Sequence, residues 1–262
     1  MKILVTSGGT KVPIDAVRDI TNMSKGTFGA KICRAFLDRT DHDIEVWYLG
    51  SQDGCRPFKI DVDFTSDAEQ FHMHPDDQRS INRFWDFYFW CQKVRHRCHQ
   101  VYYRNYDEYS LKLEMIIRDQ KPDIVVLAAA VSDYLVSNPT EGKVRSSDAL
   151  SIQLAPAEKL ISKIKRWHPG CKLVGFKLLV NSTSNELFQA ACRSIETNGC
   201  DLVVANDLRD IKNNDHTLRL VRWNKSDKSF ITSEYHSGSL HYLPSVVVAE
   251  SLALLKAEKC GY

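Results

Sequence analysis

Two short turns near the N-terminus hold residue types suited to binding anions. Ser7-Gly8-Gly9-Thr10 directly follows the apolar run Lys2 to Thr6. A glycine-rich turn at the end of a parallel strand lets backbone N–H groups approach a phosphate with no Cβ in the way. The pattern is neither Gly-x-Gly-x-x-Gly nor Gly-x-x-x-x-Gly-Lys-Ser/Thr, so taken alone it serves chain reversal as readily as phosphate binding. The second turn, Asn22-Met23-Ser24-Lys25-Gly26, stands just before a segment of helical spacing. It brings an amide, a hydroxyl and an ammonium to a helix N-terminus, which favours negative charge. By itself Ser24 could equally be an N-cap and Lys25 a solvated charge.

The elements that must position these turns follow from periodicity. Lys2 to Thr6 reads as the first strand and Thr27 to Leu37 as the first helix, its start delayed by a loop containing Pro13. Ile44 to Leu49 is a second strand and Tyr109 to Arg118 an amphipathic helix. Ile124 to Val131 is so uniformly apolar that it must be a central strand covered on both faces. Beyond it, Ser151 to Leu154 reads as a strand, Ala157 to Arg166 as a helix and Lys172 to Phe176 as a strand. Ser184 to Asn198 is a helix stopped by Gly199, and Asp201 to Ala205 another buried strand. Leu218 to Trp223 and Ser229 to Ser233 flank the turn Asn224 to Asp227 as a hairpin would, and Val246 to Leu255 supplies a closing helix. The rhythm predicts an α/β chain: a Rossmann-like, mostly parallel sheet with helices on both faces. Residues 1–262 read as a single domain with an aromatic and basic insertion at about Thr65 to Asp107. Its interleaved aromatics and cations could serve a single-stranded nucleic acid, but more often such a segment packs on its own domain or across a dimer interface.

Composition narrows the partners. With 43% hydrophobic and 26% charged residues among 262, the chain is globular. Thirty-five Lys and Arg against 33 Asp and Glu leave a formal charge of +2, so no global field attracts nucleic acid or an anionic membrane, and any anion must be held locally. No run approaches the ~20 apolar residues of a membrane span, and the opening Met-Lys-Ile-Leu-Val-Thr-Ser-Gly-Gly is too short for a signal-peptide core. A cytoplasmic location is expected. The eight cysteines are scattered with no Cys-x-x-Cys and read as reduced thiols. Cys91, His96, Cys98 and His99, with His72 and His74 upstream, match no structural zinc spacing, so no protein-held metal is expected.

Five ordered blocks carry a family resemblance. Thr6-Ser-Gly-Gly-Thr-Lys-Val-Pro-Ile-Asp15 with Val17-Arg18-Asp-Ile-Thr-Asn22-Met-Ser24-Lys-Gly26 closely resembles the opening of phosphopantothenate–cysteine ligases. Ala128-Ala-Ala-Val-Ser-Asp133-Tyr134, Lys143-Val-Arg-Ser-Ser147, Gly175-Phe176-Lys177 and Asp201-Leu-Val-Val-Ala-Asn206-Asp207 resemble later segments of that family in the same order. The resemblance implies a ligation in coenzyme A biosynthesis. The carboxylate of 4′-phosphopantothenate attacks the α-phosphate of CTP or ATP, and L-cysteine then displaces the nucleotide from the acyl intermediate, leaving NMP and pyrophosphate. It also implies the roles. Lys143 neutralises the triphosphate during activation, Asn22 binds the acyl-nucleotide, and Arg18 shares the amide-forming step. Gly8, Gly9, Thr10, Ser24 and Gly26 hold the nucleotide; Ala128, Ala129, Ala130 and Asp133 face the base, with Phe176 nearby. Mg²⁺ is expected to arrive on the triphosphate, and the family's habit implies a homodimer. Asn206-Asp207 is expected to be a turn bonding its own backbone and stays outside the catalytic set.

The sequence departs from the larger bacterial pattern. It opens at the ligase's first strand, so a stand-alone ligase is expected, without the flavin-dependent decarboxylase half that many bacteria fuse upstream. Ser194 and Asn198 stand where that pattern has two phosphate-facing lysines, which leaves the choice of CTP or ATP open. The alternatives are a nicotinamide-dependent oxidoreductase and a catalytically lapsed nucleotide-binding regulatory protein. The first lacks a third glycine at the right spacing and an acidic residue at Leu49-Gly50-Ser51.

Overall fold

The computed structural model describes residues 1–58, 78–145, 150–212, 216–224, 226–237 and 242–259. The chain begins with strand β1 (Lys2–Ser7), the short antiparallel pair β2 (Lys11–Pro13) and β3 (Asp19–Thr21), helix α1 (Thr27–Leu37) and strand β4 (Glu45–Ser51). Helix α2 (Gln78–Val94), strand β5 (Cys98–Tyr103), helix α3 (Tyr106–Gln120) and strand β6 (Ile124–Leu127) follow. A second short pair, β7 (Tyr134–Val136) and β8 (Leu154–Pro156), precedes a 3₁₀ turn at Leu160–Lys163 that runs into α4 (Ile164–Trp167). The last third comprises β9 (Lys172–Leu179), α5 (Ser184–Asn198), β10 (Leu202–Asp207), α6 (Leu208–Lys212), the hairpin β11 (His216–Asn224) and β12 (Ser229–Ser237), and α7 (Leu243–Lys259).

Eight strands form one sheet in the order β12-β11-β10-β9-β6-β1-β4-β5. From β10 to β5 all neighbours are parallel, and β11 and β12 extend the sheet antiparallel. Strand alternation splits the interior in two. Ile3, Val5, Val46, Tyr48, Val126 and Val174 pack with Ile32 and Phe36 of α1 and Val247 and Leu252 of α7. Leu4, Trp47, Leu49, Val125, Leu173 and Val203 pack on the other face with Tyr109, Leu113 and Ile117 of α3 and Leu187, Ala191 and Ile195 of α5. Helices α3 and α5 start where side chains cap them. Asn105 accepts the Glu108 N–H ahead of α3, and Thr183 with Glu186 forms a reciprocal capping box ahead of α5, which Gly199 ends. No helix among the described residues is long and apolar enough to cross a membrane.

The Rossmann-like, mostly parallel sheet is as expected; several local readings are corrected. The central strand stops at Leu127 instead of Val131, because Thr6 Oγ1 takes the Ala129 N–H and Ala130 turns to pair with the chain after β1. The strand expected at Ser151 to Leu154 lies at Leu154–Pro156, opposite β7. The helix expected from Ala157 starts only at Leu160. Its first residues are held extended, with the Ala157 N–H on the Asp133 carbonyl and the Glu158 carbonyl accepting the Tyr106 hydroxyl. The segment read as an insertion, Thr65 to Asp107, is not among these corrections; its described part contributes β5, an edge strand of the main sheet, and the start of α3. Its aromatics divide accordingly. Tyr103 and Tyr106 are buried, whereas Trp85, Tyr88 and Phe89 of α2 are exposed. Residues 65–77 of that segment, with His72 and His74, lie outside the described residues, as do Ser146, Ser147 and Cys260. The seven described cysteines are all unbridged. The Cys98 thiol meets the Cys33 thiol at 3.8 Å, and the neighbouring His99 stacks on Trp47.

This burial pattern predicts two contrasting variants. Leu113→Ala, at a fully buried α3 position, should lose about 2–5 kcal/mol of stability. Phe89→Ser, on the exposed face of α2, should change it by about 0.5 kcal/mol or less. Urea unfolding midpoints of the two variants check both values.

Candidate functional site

The site is assembled at the carboxyl ends of β1 and β6, adjacent strands whose chains run on to different neighbours, the crevice where open α/β sheets bind ligands. Its floor is a close approach between the two glycine-bearing turns. Gly8 has φ +87°, and a Cβ on it would lie 1.9 Å from Ser51 Oγ at the end of β4. Gly26 has φ +74°, and a Cβ there would lie 2.7 Å from the Gly8 nitrogen. Only glycine fits either position. The Ser7 hydroxyl fastens the turns together by donating to the Gly26 carbonyl at 2.7 Å.

Asn22 and the residues after β6 complete this cluster. Gly9 faces Asn22, whose backbone oxygen would meet a Cβ on Gly9 at 3.0 Å. Asn22 Nδ2 donates to the Ala130 carbonyl at 2.7 Å, the same oxygen that accepts the Thr10 N–H at 3.3 Å. The Ala130 N–H in turn donates to the Gly8 carbonyl at 2.8 Å. Ala128, Ala129 and Ala130 are half-buried along the rim. Ser24 Oγ accepts the Gly26 N–H at 3.3 Å. Helix α1 begins immediately afterwards with no acidic residue in its first turn and no side-chain cap among the described residues, which leaves its leading N–H groups and positive dipole end for an anion. Phe176 reaches the same helix end, edge-on to Phe28 with ring centroids 6.0 Å apart. Thr10 differs from the rest: it is fully buried, and its hydroxyl is engaged with Ser132, whose N–H and Oγ both lie 2.9 Å away. Its contribution to a ligand is therefore through the backbone. Asp133 follows Ser132 and is exposed, ion-paired with Lys159.

Arg18 and Lys143 form a second group beside the first. The Arg18 guanidinium donates to Asp15 and, at 2.7 Å, to the Val144 carbonyl, so the tip of the β2–β3 hairpin and the Lys143 loop are joined. Lys143 itself is exposed. Ser194 and Asn198 are hydrogen-bonded to each other at 3.3 Å in the last turns of α5, at the end of that helix remote from the carboxyl ends of the strands. Asp207 is buried and accepts the N–H groups of Asn181, Ser182 and Arg209. It thus bonds the local turn and also fixes the loop before α5. Chiefly the Ser182 N–H, then the Arg209 N–H, holds its carboxyl down at about 2. Residues that sequence reasoning missed are Asp15, Ser132, Phe28 and Lys159. The usable signal was Asp15, an Asp two and three residues before backbone donors, as in an Asx turn.

The family model for the DNA/pantothenate metabolism flavoprotein C-terminal domain matches residues 1–46 and 110–237. The chain belongs to that family. Both groups of site residues fall within the matched DNA/pantothenate metabolism flavoprotein segments, while α2 and β5 fall between them. A relative, the coenzyme A biosynthesis bifunctional protein CoaBC of Thermococcus kodakarensis, is 31% identical over 220 residues, covering 84% of this chain and 44% of the relative. The phosphopantothenate–cysteine ligase CAB2 of Saccharomyces cerevisiae is 22% identical over 279 residues, covering 94% of this chain and 75% of the ligase. The chain therefore spans less than half the length of the bifunctional relatives it matches. Among solved structures, the DNA/pantothenate metabolism flavoprotein from Streptococcus pneumoniae superposes with a TM-score of 0.68 at 25% identity, covering 97% of this chain and 99% of that one.

Two outcomes follow from the geometry. Gly8→Ala should lower the melting temperature, and adding Ser51→Gly should recover part of the loss by removing the steric partner while the unfavourable φ stays. Thermal unfolding of the single and double variants reads this. Asp207→Asn should destabilise the protein at neutral pH. Because the folded carboxyl titrates below its ordinary range, the contribution is present above about pH 4 and lost as pH falls toward 2. Unfolding midpoints at pH 7, 4 and 2.5 should therefore show the two proteins converging in acid.

Proposed function

We propose that this protein is a phosphopantothenate–cysteine ligase that joins 4′-phosphopantothenate to L-cysteine through an acyl-nucleotide. The observation that supports the reading most is the convergence of Gly8, Gly9 and Asn22 on Ala130, with Gly26 against Gly8 at the start of α1, beside the joined Arg18 and Lys143 segments. In the first step the substrate carboxylate attacks the α-phosphorus of the nucleoside triphosphate and pyrophosphate leaves. In the second the cysteine amine attacks the acyl carbon and the nucleotide leaves as its monophosphate. Negative charge gathers on phosphoryl oxygens in one step and on an acyl oxygen in the other, so fixed donors and cations serve better than strong bases.

The chain's residues fit those demands. The leading N–H groups of α1 and the Gly8-Gly9 turn hold phosphate, and Lys143 neutralises charge as pyrophosphate separates. Asn22 is held by its bond to Ala130 with the rest of its amide turned to the acyl-nucleotide, and Arg18 serves amide formation. Ala128 to Ala130, Asp133 and Phe176 line the base. Mg²⁺ enters with CTP or ATP as part of the substrate. Val17, Ile20 and Met23 around β3 and Tyr134 and Leu154 of the β7–β8 pair are exposed, an apolar set that a second copy would cover in a homodimer. A cytoplasmic location accompanies this reading. An oxidoreductase is disfavoured, since the end of β4 presents Ser51 packed on Gly8 in place of a ribose-binding carboxylate.

Pyrophosphate release should require phosphopantothenate and fail in excess EDTA; running CTP and ATP side by side gives the nucleotide preference. Lys143→Gln should slow acyl-nucleotide formation by on the order of 10²–10³. Asn22→Asp should place an anion against the Ala130 carbonyl, so the intermediate should form and accumulate. Mass spectrometry before and after adding cysteine separates the two. Wild-type formation in Lys143→Gln, or wild-type transfer in Asn22→Asp, would remove that residue from its role.

A further inference from the structure

A fully buried carboxylate lies under the hairpin tip, and the two-step chemistry gives it no direct part. The Asp15 side chain is inaccessible to solvent, whereas Arg18 beside it is 41% exposed. Asp15 Oδ1 accepts the N–H groups of Val17 at 2.9 Å and Arg18 at 2.8 Å. Asp15 Oδ2 accepts Arg18 Nε at 3.0 Å and, across a separation of 129 residues, the Val144 N–H at 3.0 Å. The two strands of chain are joined at three further points: Ala16 N–H to the Gly142 carbonyl at 2.9 Å, Thr140 N–H to the Ile14 carbonyl at 3.0 Å, and Arg18 Nη2 to the Val144 carbonyl at 2.7 Å. Bonds to the Val17 N–H first, then to Val144 and Arg18, hold the carboxyl far below the usual carboxylate range.

A carboxylate needed only to shape the turn at 15–18 would have no reason to reach Val144. Here Gly142 and Val144, the neighbours of Lys143 on both sides, are fixed through their backbones, while the lysine side chain stays in solvent. We propose that Asp15 is a positioning residue that locks the Lys143 loop to the Arg18 hairpin and so presents the two cations as one rigid unit. The proposal rests on the ligase reading for what Lys143 does, and on the hydrogen bonds alone for what holds it. One carboxylate would thereby set the cation of the first half-reaction and the cation of the second in a common frame.

Asp15→Ala in the full chain tests this, because it removes both carboxylate oxygens and leaves neither the Val144 N–H nor the Arg18 Nε–H its acceptor. Hydrogen exchange at the Val144 amide should accelerate by about tenfold or more, while Val125 and Val203 in the central strands keep their protection. Acyl-nucleotide formation should fall by about 10- to 100-fold in the wild-type background yet by less than about threefold in the Lys143→Gln background, since coupled residues are non-additive. Equal losses in both backgrounds, or unchanged exchange at Val144, would overturn the proposal. Should Asp15→Ala strip protection from Val125 and Val203 as well, Asp15→Glu, which keeps the charge but displaces the carboxylate from the Val144 N–H, is judged by the same two criteria. A wild-type protein that forms no acyl-nucleotide with either CTP or ATP would end the ligase reading, and Val144 exchange would still decide the lock.

Discussion

The geometry of the site depends on how closely the chain leaving β1 can approach the chain entering α1. Gly26 leaves room for the Gly8 nitrogen, Gly8 leaves room for Ser51, and Gly9 leaves room for Asn22. Three segments therefore meet with backbone against backbone, and the hydrogen bonds of Ala130 and Ser7 can span them. Side chains of any size would push the start of α1 away from the strand ends and separate its dipole from the space over Ala130.

Around that contact the structure separates scaffold from chemistry. The eight-stranded sheet has apolar cores on both faces, and the β2–β3 and β7–β8 pairs stand outside it. Apart from Phe176 in β9, the residues offered for ligation sit on these appendages or on turns at the strand ends. Charge is arranged locally as well. Asp15 with Arg18, Asp53 with Lys11 and Asp133 with Lys159 are paired, so each of these cations is balanced by a carboxylate beside it.

The legible parts of the sequence were those in which local signals and burial agree. Helix α1 and helix α5 are where their apolar spacing and end residues put them, and the uniformly apolar β6 is indeed central. Readings failed where a distant partner decides the outcome. Ala128 to Val131 looks like strand by composition, but Thr6 and Gly8 capture its amides. Residues 157–159 have helical composition, but bonds to Asp133 and Tyr106 stretch them. Strand β5 was hidden because its Tyr-rich sequence follows an aromatic helix with no change of composition. Around the candidate site, the glycines and Asn22 stand out in the sequence because their types are distinctive, whereas the bond from the Val144 N–H to Asp15 spans 129 residues that no local pattern links.

The sheet order also dictates when this protein can become itself. β1 lies between β4, which follows it within about 40 residues, and β6, which is more than a hundred residues further along. A growing chain thus carries β1 with one edge bare until Leu127 has emerged, and bare edges of apolar strands invite pairing with other chains. Closing that edge is a non-local event, whose loop-closure entropy must be met before the pairing with β6 repays it. The same closure brings Ala130 to Asn22, so the moment that ends the exposure of β1 is also the moment at which the crevice first exists.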